Sequence, residues 1–178
     1  MNKTLYQIID SPIGPLTVLS DGSSLIGLYM NVYRHGPSVK DDWVAGSEDP
    51  VIQVAGNQLG EFFAGTRMEF DLPLNAKGTE FQRQCWNLLS AIPYGETWSY
   101  GEMAKRLGNP EASRAVGAAN GQNPISIVVP CHRVIGSNGK LVGFGGGIPR
   151  KAALLAFERA MKFGESGSDF WAENPLMP

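Results

Sequence analysis

The sequence predicts a mixed α/β (α+β) protein, a small antiparallel sheet with one helix followed by a region of short helices. Three observations lead there. β-rich runs broken by Pro/Gly turns fill the chain up to Met30, one amphipathic segment occupies 51–63, and from Phe81 onward apolar residues recur at helical spacing between capping and breaking residues. Strands first and helices afterwards is the order of a segregated architecture rather than of alternating βαβ units.

Leu5 to Ile9 and Leu16 to Leu19 read as strands separated by Ser11-Pro12-Ile13-Gly14-Pro15, and Asp21-Gly22-Ser23 turns the chain into a third, Leu25 to Met30. Tyr33 to Pro50 is polar and Pro/Gly-bearing and reads as a surface loop. Val51, Ile52, Val54, Ala55, Leu59, Phe62 and Phe63 then recur at helical spacing until Gly65. Asp71 to Gly78 reads as a linker. Phe81 to Ile92 places Phe81, Cys85, Leu88, Leu89 and Ile92 on one face, which gives Cys85 an ordinary core role.

Ser99-Tyr100-Gly101-Glu102 matches a capping box that opens a helix through Leu107. Gly108 closes it, Asn109 caps the next, and Pro110 fits the first turn of a helix running from Glu111 to Ala119. Two short helices across a glycine turn suit a helix-turn-helix or a plain packing pair. The second helix is built of small residues from which Arg114 alone projects far. Such a surface lets the backbone approach either a nucleic-acid groove or another helix, and both readings stand at this point. Farther on, Ile127 to Val129 suggest a strand that Pro130 stops. Gly143-Phe144-Gly145-Gly146-Gly147 is a glycine loop without the ending of a P-loop. Pro149 opens a last helix, Arg150 to Met161, whose apolar face is Ala153, Leu154, Phe157 and Met161, with Glu158 beside it. Phe163 to Pro178 reads as an acidic, partly disordered tail.

Composition narrows the function classes. The chain has 178 residues, 43% hydrophobic and 18% charged, as ordinary soluble globular proteins do. Two cysteines, Cys85 and Cys131, imply no disulfide framework, and Met1 to Tyr6 has no apolar signal core, so a reducing cytoplasm is the expected compartment. The apolar runs, such as Leu25 to Met30, fall far short of the roughly 20 residues of a helical membrane span. The net charge of −2 hides an asymmetry: residues 1–76 carry 4 basic and 9 acidic side chains, whereas 77–162 carry 11 basic and 5 acidic. A basic half is a hint of a nucleic-acid-facing segment.

The chemistry concentrates in Ser126-Ile-Val-Val-Pro-Cys-His-Arg-Val134. A cysteine in an apolar run ordinarily packs as a small hydrophobe. Here Pro130 bends the chain just before Cys131, and His132 and Arg133 follow at once. Positive neighbours lower a thiol's pKa toward the nucleophilic thiolate.

Arg114-Ala115-Val116-Gly117-Ala118-Ala119-Asn120, Asn123-Pro124, Pro130-Cys131-His132-Arg133-Val134, the glycine loop and Glu158 closely resemble the O6-alkylguanine-DNA alkyltransferase family, with order and spacing kept over about residues 79–162. The first part resembles, more loosely, that family's ribonuclease H-like domain. The resemblance implies a ribonuclease H-like domain at 1–76, a winged helix-turn-helix-like DNA-binding and alkyl-acceptor domain at 79–162, and a tail at 163–178.

By the same resemblance, Cys131 is the acceptor thiol, His132 the base that takes its proton through a water, and Glu158 the carboxylate that orients the imidazole. Asn123 is the hinge of the acceptor segment, and Tyr100 donates toward ring nitrogen N3 of the departing guanine. The carbonyls of Cys131 and Val134 read the exocyclic amine, the Gly145 N–H bonds O6, and Phe144 covers the base. Arg114 fills the place of a base rotated out of the duplex, and Gly101, Asn109, Ala115 and Ser137 make further DNA contacts in the minor groove. Phe144 stands where the family often has tyrosine. No Cys/His cluster accompanies His35, so neither zinc nor another cofactor is expected. The expected activity is single-use transfer of the alkyl group from O6-alkylguanine, and from O4-alkylthymine, to Cys131, by a monomer able to cluster on DNA. A Cys-His hydrolase and a lesion-binding protein without transfer are the competing readings.

Overall fold

The computed structural model describes residues 3–31 and 36–176. β1 (Leu5–Ile9), β2 (Leu16–Ser20) and β3 (Leu25–Met30) form the antiparallel meander the sequence predicts, with Tyr6 opposite Leu19 and Leu16 opposite Met30. The Asp21 carboxylate sets the second turn, accepting the Ser23 and Ser24 amides at 3.0 and 2.8 Å. The expected surface loop at 33–50 is more structured than its composition suggests. Its first residues, Tyr33 to His35, lie outside the described residues, but Val44–Ala45 forms a fourth strand, β4, parallel to β1, giving the order β3-β2-β1-β4.

Helix α1 (Pro50–Phe63) covers one face of this sheet. Asp49 caps it through a 3.0 Å bond from the Ile52 amide, and Ile52, Ala55, Leu59, Phe62 and Phe63 are its buried stripe. Gly65, at φ 80°, turns the chain out of the helix, a conformation that side chains with a Cβ resist. The connector at 71–78 is no free linker. It runs beside β3, Leu25 donating to the Pro73 carbonyl at 2.8 Å and Asn75 returning a bond to Leu25 at 2.9 Å.

The helical part departs from expectation in its details. Helix α2 (Glu80–Leu89) carries a full capping box made by Thr79 and Gln82. The box expected at Ser99 and Glu102 is half made: Ser99 accepts the Glu102 amide, while the Glu102 carboxylate pairs with Arg106 at 2.9 Å. A short strand, β5 (Trp98–Ser99), precedes α3 (Tyr100–Arg106). The next helix is split into a 3-10 turn, Pro110–Ala112, and α4 (Ser113–Gly121), and the Asn109 side chain makes no capping bond. The strand expected at 127–129 does not form. Ile125 makes one isolated bridge to Leu28, and the chain then coils. β6 (Val134–Ile135) pairs with β5, and α5 (Ile148–Lys162) ends the helical part.

The acidic tail is ordered at 167–173 as α6 (Gly167–Glu173), contrary to its charge-based reading. Phe170 is buried, and Trp171 stacks on Phe157 of α5 with centroids 4.8 Å apart. Two aromatic anchors outweigh the solvating effect of three acids. Both halves of the molecule share β3: the Leu28 amide donates to Pro124 at 2.8 Å and its carbonyl accepts from Ser126 at 3.1 Å. The sheet therefore holds the segment that leads to Cys131.

Candidate active site

Ile-Val-Val has strand propensity, but the Asn123 side chain imposes another path. Its amide oxygen accepts the Ile125 N–H at 3.0 Å and its amide nitrogen donates to the Val129 carbonyl at 2.8 Å, stapling the two ends of the run together. Between them Val128 bonds back to Ser126, and Ile127 takes φ 70°, a left-handed value rare for a β-branched residue. Such strain persists where the surroundings over-determine it. Cys131 then starts a 3-10 turn, Cys131–Arg133, and is 3% exposed.

Beneath it lies a buried ion cluster. Nε2 of His132 meets Oε1 of Glu158 at 2.7 Å, and both side chains are fully buried. Arg133 donates from Nε to Oε2 of Glu158 at 2.9 Å and from Nη2 to Oε1 at 2.9 Å, while its Nη1 bonds the Ile92 carbonyl at 2.8 Å. The Gly95 amide adds a bond to Oε2 at 3.1 Å. Burial alone would push the Glu158 carboxyl up, but His132 and Arg133 outweigh it and hold the group at about 2. With Nε2 committed to the carboxylate, the opposite ring nitrogen, Nδ1, is buried and bonded to no protein group. The imidazole thus has one fixed end and one end available for proton transfer.

The expectation that His132 and Arg133 acidify the thiol needs correcting. Arg133 spends its charge on Glu158. Burial pushes the Cys131 thiol up, and the opposing influences are the Asn123 amide, the Lys151 ammonium, the Cys131 backbone and the Ser126 hydroxyl. Lys151 is the functional candidate that sequence reasoning missed. It is fully buried, donates to the Val134 carbonyl and, at 2.9 Å, to the Val142 carbonyl, and burial lowers its pKa to about 8 against the pull of Cys131. The signal was position: Lys151, Leu154 and Glu158 share one face of α5, and a lysine on that face has to find buried acceptors.

Tyr100 opens α3 and reaches across to the start of the glycine loop. Its hydroxyl donates to the Val142 carbonyl at 2.9 Å, and burial, aided by Cys131, pushes its pKa up to about 12, so the group stays a proton donor. A groove of about 440 Å³ is lined by Tyr100, Gly101, Arg114, Gly117, Ser137 and Val142. Four of the sequence-predicted residues, Tyr100, Gly101, Arg114 and Ser137, are thereby brought together. Arg114 and Ala115 are exposed at the start of α4, and Asn109 is exposed at the helix junction outside the groove lining. Val134 is buried beside Cys131, and Phe144 and Gly145 are half-buried in the glycine loop. That loop is seated on the sheet, because a Cβ at Gly146 would collide with Met30 of β3.

A larger apolar cavity, about 610 Å³ between β1, α1 and α6, contains neither cysteine nor histidine. Among the described residues no three His, Cys, Asp or Glu side chains cluster as metal ligands, and His35 lies outside them.

This architecture matches known proteins along most of its length. The family described as "6-O-methylguanine DNA methyltransferase, ribonuclease-like domain" matches residues 4–76, and "6-O-methylguanine DNA methyltransferase, DNA binding domain" matches residues 80–160. The methylated-DNA–protein-cysteine methyltransferase of Mycobacterium tuberculosis H37Rv is 53% identical over 156 residues, covering 87% of this chain and 92% of the relative. The protein of the same name from Methanosarcina acetivorans is 49% identical over 155 residues, 86% of this chain and 97% of the relative. Among solved structures, M. tuberculosis OGT in complex with DNA superposes with a TM-score of 0.82 at 50% identity, covering 88% of this chain and 94% of that one. The chain belongs to the 6-O-methylguanine DNA methyltransferase family.

Proposed function

We propose that the protein is a methylated-DNA–protein-cysteine methyltransferase that repairs DNA by direct reversal, moving the alkyl group of O6-alkylguanine, and of O4-alkylthymine, to Cys131. The observation that carries this reading is the buried His132–Glu158–Arg133 cluster, whose His132 directly follows a nearly buried Cys131 in the chain, with Tyr100 lining an exposed groove. The names of its relatives and the DNA-bound relative support it.

Cys131 gives its proton to His132 through a water at Nδ1, and the sulfur forms a bond to the alkyl carbon as the carbon–O6 bond breaks. The electron pair leaves with the base, where the Tyr100 hydroxyl donates toward N3 and the Gly145 amide toward O6. The Cys131 and Val134 carbonyls read the exocyclic amine, and Phe144 forms a wall of the pocket. The lesion must leave the base stack to reach a nearly buried thiol, and Arg114 takes its place while Gly101, Asn109, Ala115 and Ser137 contact the minor-groove face. Asn123 positions the acceptor segment. In this reading residues 1–76 support a DNA-binding and acceptor domain at 79–162, the protein binds duplex DNA as a monomer able to cluster, and the free thiols suit a reducing cytoplasm. Among the described residues no helix is long and apolar enough to cross a membrane.

The thioether is stable, so each molecule acts once. Exposure to an oligonucleotide carrying O6-methylguanine gives a burst equal to active protein and a mass gain of one methylene mapped to Cys131, and Cys131→Ala transfers nothing. Continued turnover, or a methyl group on another residue, overturns the reading.

A further inference from the structure

The glycine loop is held at both ends from the first turn of α5. Lys151 Nζ donates at 2.9 Å to the Val142 carbonyl, where the loop begins, and Arg150 Nη1 donates at 3.3 Å to the Gly146 carbonyl, where it ends. Phe144 and Gly145 lie between these bonds, and the Gly147 amide closes the turn on the Phe144 carbonyl at 3.0 Å. Arg150 has a second partner. Its Nε donates at 2.7 Å to the Ile13 carbonyl, 137 residues away in the turn between β1 and β2. That turn is a firm support: Ile13 is buried, the Gly14 amide bonds the Ser11 carbonyl at 3.0 Å, and the Ser11 hydroxyl donates to the Gly14 carbonyl at 2.5 Å. Among the described residues no carboxylate pairs with Arg150, so its guanidinium serves two main-chain carbonyls, one from each half of the molecule. Hydrogen bonds from an ionised donor are roughly twice as strong as neutral ones.

We propose that Arg150 is a positioning residue for alkyl transfer: it ties the glycine loop to the β1–β2 turn, so that the N-terminal half sets the geometry of the base pocket. The assignment rests on the proposed function, in which Phe144 walls the base and the Gly145 amide meets O6. Two contacts from the N-terminal half converge on Gly146, which is buried. Met30 of β3 packs against it, and Arg150 couples its carbonyl to Ile13. A packing contact limits how closely the loop approaches but leaves its peptides free to rotate. A bonded carbonyl fixes the plane of its own peptide, because the hydrogen bond is directional, and in so short a loop that restrains the Gly145 N–H as well. Displacing a group that must meet the reacting atoms by about 1 Å can cost on the order of a hundredfold in rate.

The test combines two measurements on the full-length Arg150→Met protein. Without DNA, hydrogen exchange of the Gly147 amide, followed by NMR, should quicken roughly tenfold relative to the Ala64 amide, which bonds Gly60 at 2.9 Å at the end of α1 and reports loosening of the whole fold. With duplex DNA carrying O6-methylguanine, single-turnover transfer at saturating DNA should slow by about tenfold to a hundredfold. The half-saturating DNA concentration should hold, because Arg150 does not line the groove of Tyr100 and Arg114. Arg150→Lys, which keeps a charged donor, should recover part of both losses, and Arg150→Gln replaces the methionine protein if that one does not accumulate. Gly147 exchange that only keeps pace with Ala64, or weaker DNA binding with an unchanged maximal rate, would overturn the proposal. A lysine protein no better than the methionine one would assign the effect to lost packing and also overturn it. Should the native protein move no methyl group to Cys131, the proposed function falls, and the exchange measurement alone decides whether Arg150 holds the loop.

Discussion

Replacing Glu158 by glutamine should cost the protein about 3 to 5 kcal/mol, the usual penalty for removing one partner of a buried ion pair. The structure places the change where that penalty applies. The carboxylate is fully buried, and the Arg133 side chain it neutralises is 8% exposed, so an unpaired guanidinium cannot turn to solvent. The pKa points to the same magnitude. Glu158 is held at about 2 against a usual 4.5, and at about 1.4 kcal/mol per unit that difference is on the order of 3 kcal/mol. For a chain of this length each kcal/mol is worth about 2 to 4 °C, so Glu158→Gln should melt roughly 6 to 20 °C lower near pH 7. The sign with pH follows from a depressed folded pKa: the contribution is complete above about 4.5 and drains away as pH falls toward 2. The gap between native and variant melting temperatures should therefore close across that window. Circular dichroism melts from pH 7 to pH 2.5 measure both quantities. A variant within about 2 °C of the native protein at neutral pH, or a gap that stays constant into acid, would refute the ion-cluster argument. Loss of the orienting carboxylate should also slow single-turnover transfer by about a hundredfold.

Lys151→Met takes the Lys151 donor from the Val134 carbonyl, while the Val142 carbonyl keeps its bond from Tyr100; it should cost about 1 to 3 kcal/mol and move the pH profile of alkyl transfer upward, and a profile that stays in place would remove Lys151 from the chemistry. Arg114→Ala alters an exposed side chain, so melting should change by less than about 0.5 kcal/mol, while transfer from duplex DNA slows about tenfold or more; unchanged kinetics on duplex would contradict its assignment as the intruding residue. Trp171→Ala removes the stack on Phe157 and the 3.1 Å bond to the Phe63 carbonyl. For this half-buried indole about 2 to 3 kcal/mol should be lost, with the transfer rate kept, as urea denaturation and single-turnover assays can show.

The sequence made legible what local chemistry decides. The three-stranded meander, α1 and the ends of α5 follow from alternation, caps and breakers, and the structure repeats them within a residue or two. What failed were features decided by remote partners. Val44 and Ala45 become a strand only because β1 offers an edge, and no local pattern marks two residues for that. Ile127 to Val129 lose their strand to Asn123, a short polar side chain that bonds both ends of the run at once. The tail was judged by its acids when Phe170 and Trp171 set its fate. At the site, resemblance assigned roles to Cys131, His132, Tyr100 and Glu158, and of these the structure joins His132 to Glu158 directly. Arg133 was misassigned because its partner lies 25 residues away, and until that distance closes an arginine beside a cysteine looks like an activator. Lys151 went unnoticed because nothing local marks it, and only its place on the buried face of α5 shows its role.

One feature of β3 reaches beyond catalysis. As the outermost strand of its sheet it would present free N–H and C=O groups to any passing chain, the usual route to sheet-to-sheet aggregation. Two loops guard it: Pro73–Asn75 occupies Leu25, and Pro124–Ser126 occupies Leu28. The second guard is the segment that carries the nucleophile. A substitution that loosens the Asn123 staple therefore strips protection from a strand edge as well as displacing Cys131, and such variants should be lost to aggregation before their chemistry can be measured.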